Sequence, residues 1–202
     1  MSLWLADRPL VLASKSASRR SLLQGAGIPI EVLAADIDER GIEAKAGLAD
    51  PGAVAAMLAR EKAVAVSVQQ PGRLVIGADQ TLALGQRRFS KPADQAAARE
   101  QLKALRGQLH ALHSAVAIVR DGRPVFEHCA VARLTMRAFS DQFLESYLDA
   151  AGDIVTASVG AYQVEGLGVQ LFERIEGDHS TILGLPLLPV LDALRRAGAL
   201  RG

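Results

Sequence analysis

Short apolar runs alternate with longer segments of helical periodicity along the first half of the chain. Three apolar runs predict buried strands, which lie at residues 10–13, 28–33 and 74–76. The last run is apolar on both faces, so we place it at the centre of a sheet. Apolar spacing and capping residues predict three helices, one from the hydroxyl-rich segment 14–18 to about Gly25, one over about 50–69 and one over 92–105.

The second half of the chain has longer strand-like segments. Strands are predicted at 112–119 and 124–136, and the Asp121-Gly122 pair between them is a typical hairpin turn. A helix capped by Ser140, a strand region over 169–175 and a closing helix over about 186–197 complete the pattern. This alternation indicates a mixed α/β fold in a single domain covering residues 1–202, with two lobes.

The composition narrows the class of protein. The chain has 202 residues, of which 50% are hydrophobic and 22% charged, and this excludes a disordered or collagen-like chain. Cys129 is the only cysteine and cannot form an internal disulfide. A formal net charge of +1 and 4% aromatic residues give no reason to expect binding to nucleic acid or to an anionic membrane.

The first residues of the sequence do not resemble a signal peptide. Residues 1–9 lack the basic start of a signal peptide, and Asp7 and Arg8 interrupt their apolar stretch. No segment approaches the roughly 18 consecutive apolar residues that a membrane helix needs. We therefore expect a cytoplasmic protein.

The first candidate site combines hydroxyl and guanidinium groups at a predicted helix start. Ser14 and Ser16 precede Arg19 and Arg20 by about one turn, and free backbone N–H groups at a helix start favour an anion. This pattern predicts a phosphate site. The alternative is an ordinary serine cap followed by two surface arginines.

A carboxylate and two lysines form the second group. Asp79 directly follows the apolar run 74–78, at the carboxyl end of a strand, where open α/β sheets place their ligands. There it needs a metal, a cation or a water to activate; the alternative is a turn residue. Lys62 lies on an apolar row of its helix and Lys91 precedes Pro92, so each either contacts a ligand or is a solvated surface lysine.

Two further candidate binding segments are an acidic one at 36–39 and a glycine-rich one at 160–168. The acidic segment Asp36-Ile-Asp38-Glu39 offers ligands for a hard cation such as Mg²⁺, although a polar loop has the same composition. Its Asp-x-Asp spacing also resembles the nucleophile strand of haloacid-dehalogenase-type phosphatases, with Asp36 as nucleophile. The glycine-rich segment 160–168 places Glu165 where a polar edge could read a base; the alternative is a turn between strands.

Eight motifs in order, spanning about residues 10–197, resemble those of the Maf proteins, which are nucleoside triphosphate pyrophosphatases. They are Leu12-Ala-Ser14-Lys-Ser16-Ala-Ser-Arg19-Arg20, Asp38-Glu39, Leu58-Ala-Arg-Glu-Lys62-Ala, Ile76-Gly-Ala-Asp79-Gln80, Lys91-Pro92, Leu105-Arg-Gly107-x-x-His110, Gly160-Ala-Tyr-x-x-Glu165-Gly and Gly184-Leu-Pro-Leu187. The resemblance implies a strongly twisted mixed sheet with helices on both sides and two lobes around a central cleft.

The resemblance also implies an activity and assigns residues to it. It implies hydrolysis of a nucleoside triphosphate to the monophosphate and pyrophosphate with Mg²⁺ or Mn²⁺, in a homodimer. Asp79 would be the proton acceptor, and Glu39 and Asp79 would hold the metal. Lys62 is implied as a further catalytic residue that binds the phosphates together with Arg19 and Lys91. The residues implied to bind phosphate are Ser14, Arg19, Arg20 and Lys91.

Base preference divides the family, and three positions bear on it. Gln80 and Glu165 are similar to the 7-methyl-GTP pyrophosphatase branch, and a carboxylate suits a guanine edge. Ser18 stands where that branch usually has tryptophan. Three alternatives remain open: a dTTP/UTP pyrophosphatase of the same family, a dehalogenase-type phosphatase using Asp36, and a non-catalytic regulator of cell division.

Overall fold

The computed structural model describes residues 2–202, which form two compact units. Unit 1 comprises the residues up to Gln80 together with 114–130 and 179–202, and unit 2 comprises residues 81–113 and 131–178. The single domain over 1–202 stays a prediction. In the described part of the chain, no helix combines the length and the apolar character needed to span a membrane.

The sheet is mixed, as predicted, and it has seven strands, one of which, Arg87–Phe89, the sequence pattern did not predict. Its order is β2-β1-β3-β5-β6-β7, with β4 paired to β3. β1 runs parallel to β2 and β3, whereas β4 is antiparallel to β3 and β7 to β6. The strands are β1 (Leu10–Leu12), β2 (Ile30–Val32), β3 (Val75–Leu84), β4 (Arg87–Phe89), β5 (Leu109–Arg120), β6 (Arg123–Met136) and β7 (Phe172–Glu176).

Side-chain caps begin most of the longer helices. The helices are α1 (Ala17–Gly25), α2 (Glu39–Ala46), α3 (Pro51–Ser67), α4 (Gln95–Leu105), α5 (Asp141–Ala151), α6 (Ile154–Ala157), α7 (His179–Ile182) and α8 (Leu187–Arg196). The capping side chains, each of which accepts a backbone N–H three residues ahead, are Ser16, Asp38, Asp50, Asp94 and Ser140. Of the three predicted serine caps of α1, the structure uses Ser16.

Unit 1 buries both faces of its part of the sheet. Leu10, Leu12 and Ile76 pack in a cluster with residues of α1 and α8. Val11 and Val75 point to the opposite face and pack with Ala55, Ala59 and Ala63 of α3. Because side chains alternate along a strand, each strand serves both layers, and helices cover both faces as predicted.

The structure corrects several predicted boundaries. β3 continues to Leu84, so Asp79 lies inside a strand and not at its end. The segment expected as a strand from residue 169 begins as a 3₁₀ turn, Leu167–Leu171, and becomes extended only at Phe172. The acidic segment becomes the capped start of α2, since Asp38 accepts the backbone N–H of Gly41. Helix α4 begins at Gln95 and leaves Lys91 in the preceding loop.

Candidate active site

The centre of the candidate site in unit 1 is an ammonium group between two carboxylates. Lys62 Nζ lies 2.6 Å from Asp79 Oδ1 and 3.0 Å from Glu39 Oε1. The Lys62 and Asp79 side chains are each 12% exposed, whereas that of Glu39 is 47% exposed. Two carboxylates and one ammonium group therefore meet where little water screens them, and their charges interact strongly.

The close approach of α3 to β3 creates this contact. Gly77 and Asp79 follow Val75 at alternate positions of β3, so their side-chain positions face α3. A Cβ atom on Gly77 would lie 2.7 Å from the backbone nitrogen of Ala63 in α3, so only glycine admits the helix this closely. Lys62, the residue before Ala63, is thereby brought to Asp79.

Arg19 is held by three hydrogen bonds that leave one end of its guanidinium available. Its Nε donates to the Gly184 carbonyl at 2.9 Å, and its Nη1 donates to the Ala78 carbonyl at 2.8 Å and to Ser14 Oγ at 3.2 Å. No hydrogen bond to Nη2 is found among residues 2–202. Burial lowers the pKa of Arg19, and the charges of Asp79 and Glu39 oppose that shift. The group stays cationic and can present Nη2 to an anion.

Gln80 points to the opposite face of β3 from Asp79. Its Nε2 lies 2.8 Å from Ser114 Oγ, 3.0 Å from the Ile182 carbonyl and 3.3 Å from the Thr181 carbonyl. Ser114 Oγ itself donates to the Thr181 carbonyl at 2.7 Å. Both amide hydrogens of Gln80 are thus engaged inside unit 1.

The remaining predicted residues are exposed or half-buried. Arg20 is exposed on α1, and Ser18 is half-buried in its first turn. Lys91 and Glu165 belong to unit 2, where both are exposed, Lys91 in the loop before α4 and Glu165 between two 3₁₀ turns. Unit 1 therefore brings Asp79, Lys62 and Glu39 into direct contact and pairs Arg19 with Ser14, while the other assignments stay predictions.

Sequence reasoning missed two positions that hold these side chains. No role was assigned to Gly77, although a glycine inside an apolar strand indicates close backbone approach. Nor was one assigned to Ser114, which is fully buried in β5. A lone hydroxyl in the apolar run 112–119 was the signal available, because a buried hydroxyl needs a partner.

The donor set near Lys62 fits a divalent cation that takes its other ligands from elsewhere. Glu39 and Asp79 supply carboxylate oxygens bound to one ammonium, so their charges already converge. Across residues 2–202, no group of three or more His, Cys, Asp or Glu side chains could hold a metal ion. Two carboxylates suit Mg²⁺, which keeps several waters and binds substrate phosphates.

Comparison with known proteins identifies the family. A family model described as Maf-like protein matches residues 9–197. The chain belongs to the Maf-like family. A nucleoside triphosphate pyrophosphatase from Rhodopseudomonas palustris (strain BisB18) is 59% identical over 196 residues, which cover 97% of each chain. A 7-methyl-GTP pyrophosphatase from Brucella abortus is 52% identical and covers 96% of this chain and 98% of its own.

The chain also shows a weak likeness to a solved structure. The HAM1 protein from Coxiella burnetii matches 64% of this chain and 73% of its own, with 19% identity and a TM-score of 0.44. That likeness is too low to support an inference about the site.

Proposed function

We propose that this Maf-like chain hydrolyses a nucleoside triphosphate to the monophosphate and pyrophosphate, with Asp79 as the base that activates water. The proposed class of enzyme rests on relatives named nucleoside triphosphate pyrophosphatase, which are 59% and 60% identical to this chain over nearly its whole length. The single observation that supports the role of Asp79 is its contact with Lys62 at 2.6 Å, beside Glu39.

Each side chain of the cluster has a defined task in this proposal. Water attacks the α-phosphorus, its proton passes to Asp79, and the bond to the β-phosphate oxygen breaks to release pyrophosphate. Lys62 binds Asp79 only through Oδ1, so Oδ2 is the oxygen offered to water. Arg19 Nη2 binds a phosphate oxygen, because its other donors are engaged by Ser14, Ala78 and Gly184.

A divalent cation, Mg²⁺ or Mn²⁺, completes the proposal. Glu39 and Asp79 would hold it, and Lys62 already lies between these two residues. When bound, the cation supplies Lewis-acid polarisation of phosphoryl oxygens. The protein itself positions the acceptor and the cationic groups.

The nucleotide base is the finer part of the proposal. We propose 7-methyl-GTP or another modified guanine nucleotide, because Glu165 offers an acceptor pair for the N–H groups of a guanine edge. The relative from Brucella abortus carries the corresponding name. Ser18, Arg20 and Lys91 remain predicted contacts to base or phosphate, and a preference for dTTP or UTP would contradict the role of Glu165.

One assay tests reaction type and base preference together. Purified protein is incubated with Mg²⁺ or Mn²⁺ and a panel of 7-methyl-GTP, GTP, dTTP and UTP, and phosphorus NMR identifies the products. We expect monophosphate and pyrophosphate in equal amounts. Orthophosphate as the only inorganic product would support a dehalogenase-type phosphatase, and absence of turnover across the panel would support a non-catalytic regulator.

A matched pair of substitutions tests the base. Asp79→Asn should lower turnover by about 10² or more, because an amide cannot accept the proton of water. Asp36→Asn makes the same carboxylate-to-amide change at an exposed position of the same unit and should leave turnover unchanged. If turnover is lost in Asp36→Asn but kept in Asp79→Asn, then Asp36 and not Asp79 is the catalytic carboxylate.

A further inference from the structure

We propose that Gln80 and Ser114 are positioning residues that fix Arg19 for phosphate binding, a role of Gln80 that is separate from any contact with the base. This inference rests on the proposed function, since it assigns a phosphate to Arg19. It is carried by hydrogen bonds that run from β3 and β5 to the end of α7 and on to Arg19.

The first link is at the carboxyl end of α7. The last carbonyls of a helix lack partners within that helix. Gln80 Nε2 reaches the carbonyls of Thr181 and Ile182, and Ser114 Oγ donates to the carbonyl of Thr181. The backbone N–H of Gly184 donates to the same Thr181 carbonyl at 3.0 Å. Since buried carbonyls need donors, Gln80 and Ser114 act together with this backbone bond to hold the turn after α7.

The second link is Gly184, which lies two residues beyond the end of α7. Its φ of +90° belongs to the region that favours glycine. A Cβ atom on Gly184 would lie 3.7 Å from Gln80 Cδ and 3.4 Å from Arg19 Nε and Nη2. Gly184 therefore sits against both side chains, and its carbonyl accepts the Arg19 Nε–H at 2.9 Å.

The third link is the orientation of the Arg19 guanidinium. A guanidinium is planar, so fixing Nε and Nη1 also fixes the direction of the N–H bonds on Nη2. Nε is fixed by Gly184, and Nη1 by Ser14 and Ala78. Loss of the Gln80 donors would let the turn after α7 shift, and this would move the Gly184 carbonyl that anchors the Arg19 Nε–H.

An inorganic ligand without a base separates the two roles of Gln80. Binding of tripolyphosphate to Gln80→Met is measured by calorimetry, with Gln70→Met as the matched control. Gln70 lies in the same unit and accepts a hydrogen bond from Arg73, so it undergoes the same chemical change away from Arg19. We expect Gln80→Met to weaken tripolyphosphate about tenfold or more, with no change in Gln70→Met. Unchanged tripolyphosphate binding with an altered base preference would overturn the inference.

A double-mutant cycle with Arg19→Lys tests whether Gln80 acts through Arg19. Lysine lacks the Nε–H that binds Gly184, so Gln80→Met should have little further effect on tripolyphosphate affinity in that background. An equal loss in both backgrounds would overturn the inference. If Gln80→Met does not fold, Ser114→Ala takes its place, since it removes the donor to Thr181 and the acceptor of Gln80.

The proposed enzyme activity is measured separately on the same protein preparations. Turnover of nucleoside triphosphates by the wild-type protein decides whether the enzyme activity is present. A wild-type protein that turns over nucleotides but does not bind tripolyphosphate would overturn the positioning inference alone. A wild-type protein that binds tripolyphosphate, with the expected loss in Gln80→Met, but that turns over no nucleotide would contradict the activity and leave the Arg19 geometry supported.

Discussion

Two adjacent residues of one strand have separate tasks because a strand directs successive side chains to opposite faces. Asp79 faces α3 and binds Lys62 at 2.6 Å. Gln80 faces the other layer, where its amide binds the carbonyls that end α7. The adjacency of an acid and an amide in the sequence therefore does not indicate a shared ligand.

The contact between Gly184 and Arg19 leads to a prediction at the residue scale. Gly184→Ala should weaken nucleotide binding, because a side chain at a φ of +90° strains the backbone whose carbonyl accepts the Arg19 Nε–H. Gly198→Ala is the control, since Gly198 has a φ of +71° and no heavy atom within 4 Å of its Cβ position. Both variants should lose about 1–2 kcal/mol of unfolding free energy from backbone strain. Only Gly184→Ala should raise KM; equal KM values in the two variants would contradict the contact.

At the scale of elements, the packing of α3 on β3 determines the catalytic geometry. Gly77 lies at the point of closest approach, and small residues of α3 pack against the same face of β1 and β3. The helix therefore lies close enough for Lys62 to reach Asp79 with its side chain mostly buried.

This packing predicts the effect of one added methyl group. Gly77→Ala should displace α3 from β3, lower the unfolding free energy by about 1–3 kcal/mol and reduce kcat, because Lys62 moves with the helix. Gly25→Ala, in α1, places a Cβ with nothing within 4 Å and serves as the control. Denaturant unfolding and steady-state kinetics measure both effects, and a normal kcat in Gly77→Ala would contradict the argument.

A second prediction at this scale concerns unit 2. His110 Nε2 lies 2.8 Å from Tyr162 Oη, and burial lowers the pKa of His110 to about 4, although a backbone hydrogen bond at Gln108 opposes this. An unfolded histidine titrates near 6.5, so between these values the unfolded chain binds more protons and stability rises with pH. The folded protein should lose about 2 kcal/mol between pH 7 and pH 5 through this group. Denaturant unfolding at both pH values checks this, and His110→Gln should lose that part of the dependence.

The sequence predicted most of the element types, but it missed the strand β4 and the helix α2. Its errors in element boundaries came from packing. The strands of unit 1 and the Asp121-Gly122 turn follow from local spacing, and both turn residues have positive φ, at 51° and 72°. The end of β3 does not follow from local spacing, because pairing of Leu82–Leu84 with β4 extends the strand beyond Asp79. The contact between Lys62 and Asp79 joins residues 17 positions apart on different elements, so no local pattern specifies it.

At the scale of the whole molecule, the formal net charge of +1 conceals a local balance. Arg19 and Lys62 stand beside Glu39 and Asp79, so the cluster contributes no net charge while it holds both signs at short distance. The homodimer and the cytoplasmic location stay predictions, and sedimentation analysis of the purified chain decides the first.

The donor set over residues 2–202 predicts how the metal binds. Because no group of three or more acidic, histidine or cysteine side chains is found there, Mn²⁺ should bind weakly to the protein alone. An analogue with a methylene bridge between the α- and β-phosphorus should tighten Mn²⁺ binding at least about tenfold, since phosphate oxygens add ligands. Electron paramagnetic resonance of free Mn²⁺ measures this, with Glu39→Gln expected to reduce the gain. Equally tight Mn²⁺ binding without the analogue would contradict the two-carboxylate site.

The sequence by itself determined most of the strands and helices and the family, and it named the candidate residues of the site, because periodicity, caps and ordered motifs are local properties of the chain. The tertiary structure alone decided which groups touch. Gly77 sets the distance between α3 and β3, and Ser114 joins Gln80 across 34 positions of the chain. Such contacts depend on how layers pack, and the same local spacing is compatible with many packings until the sheet and its helices are assembled.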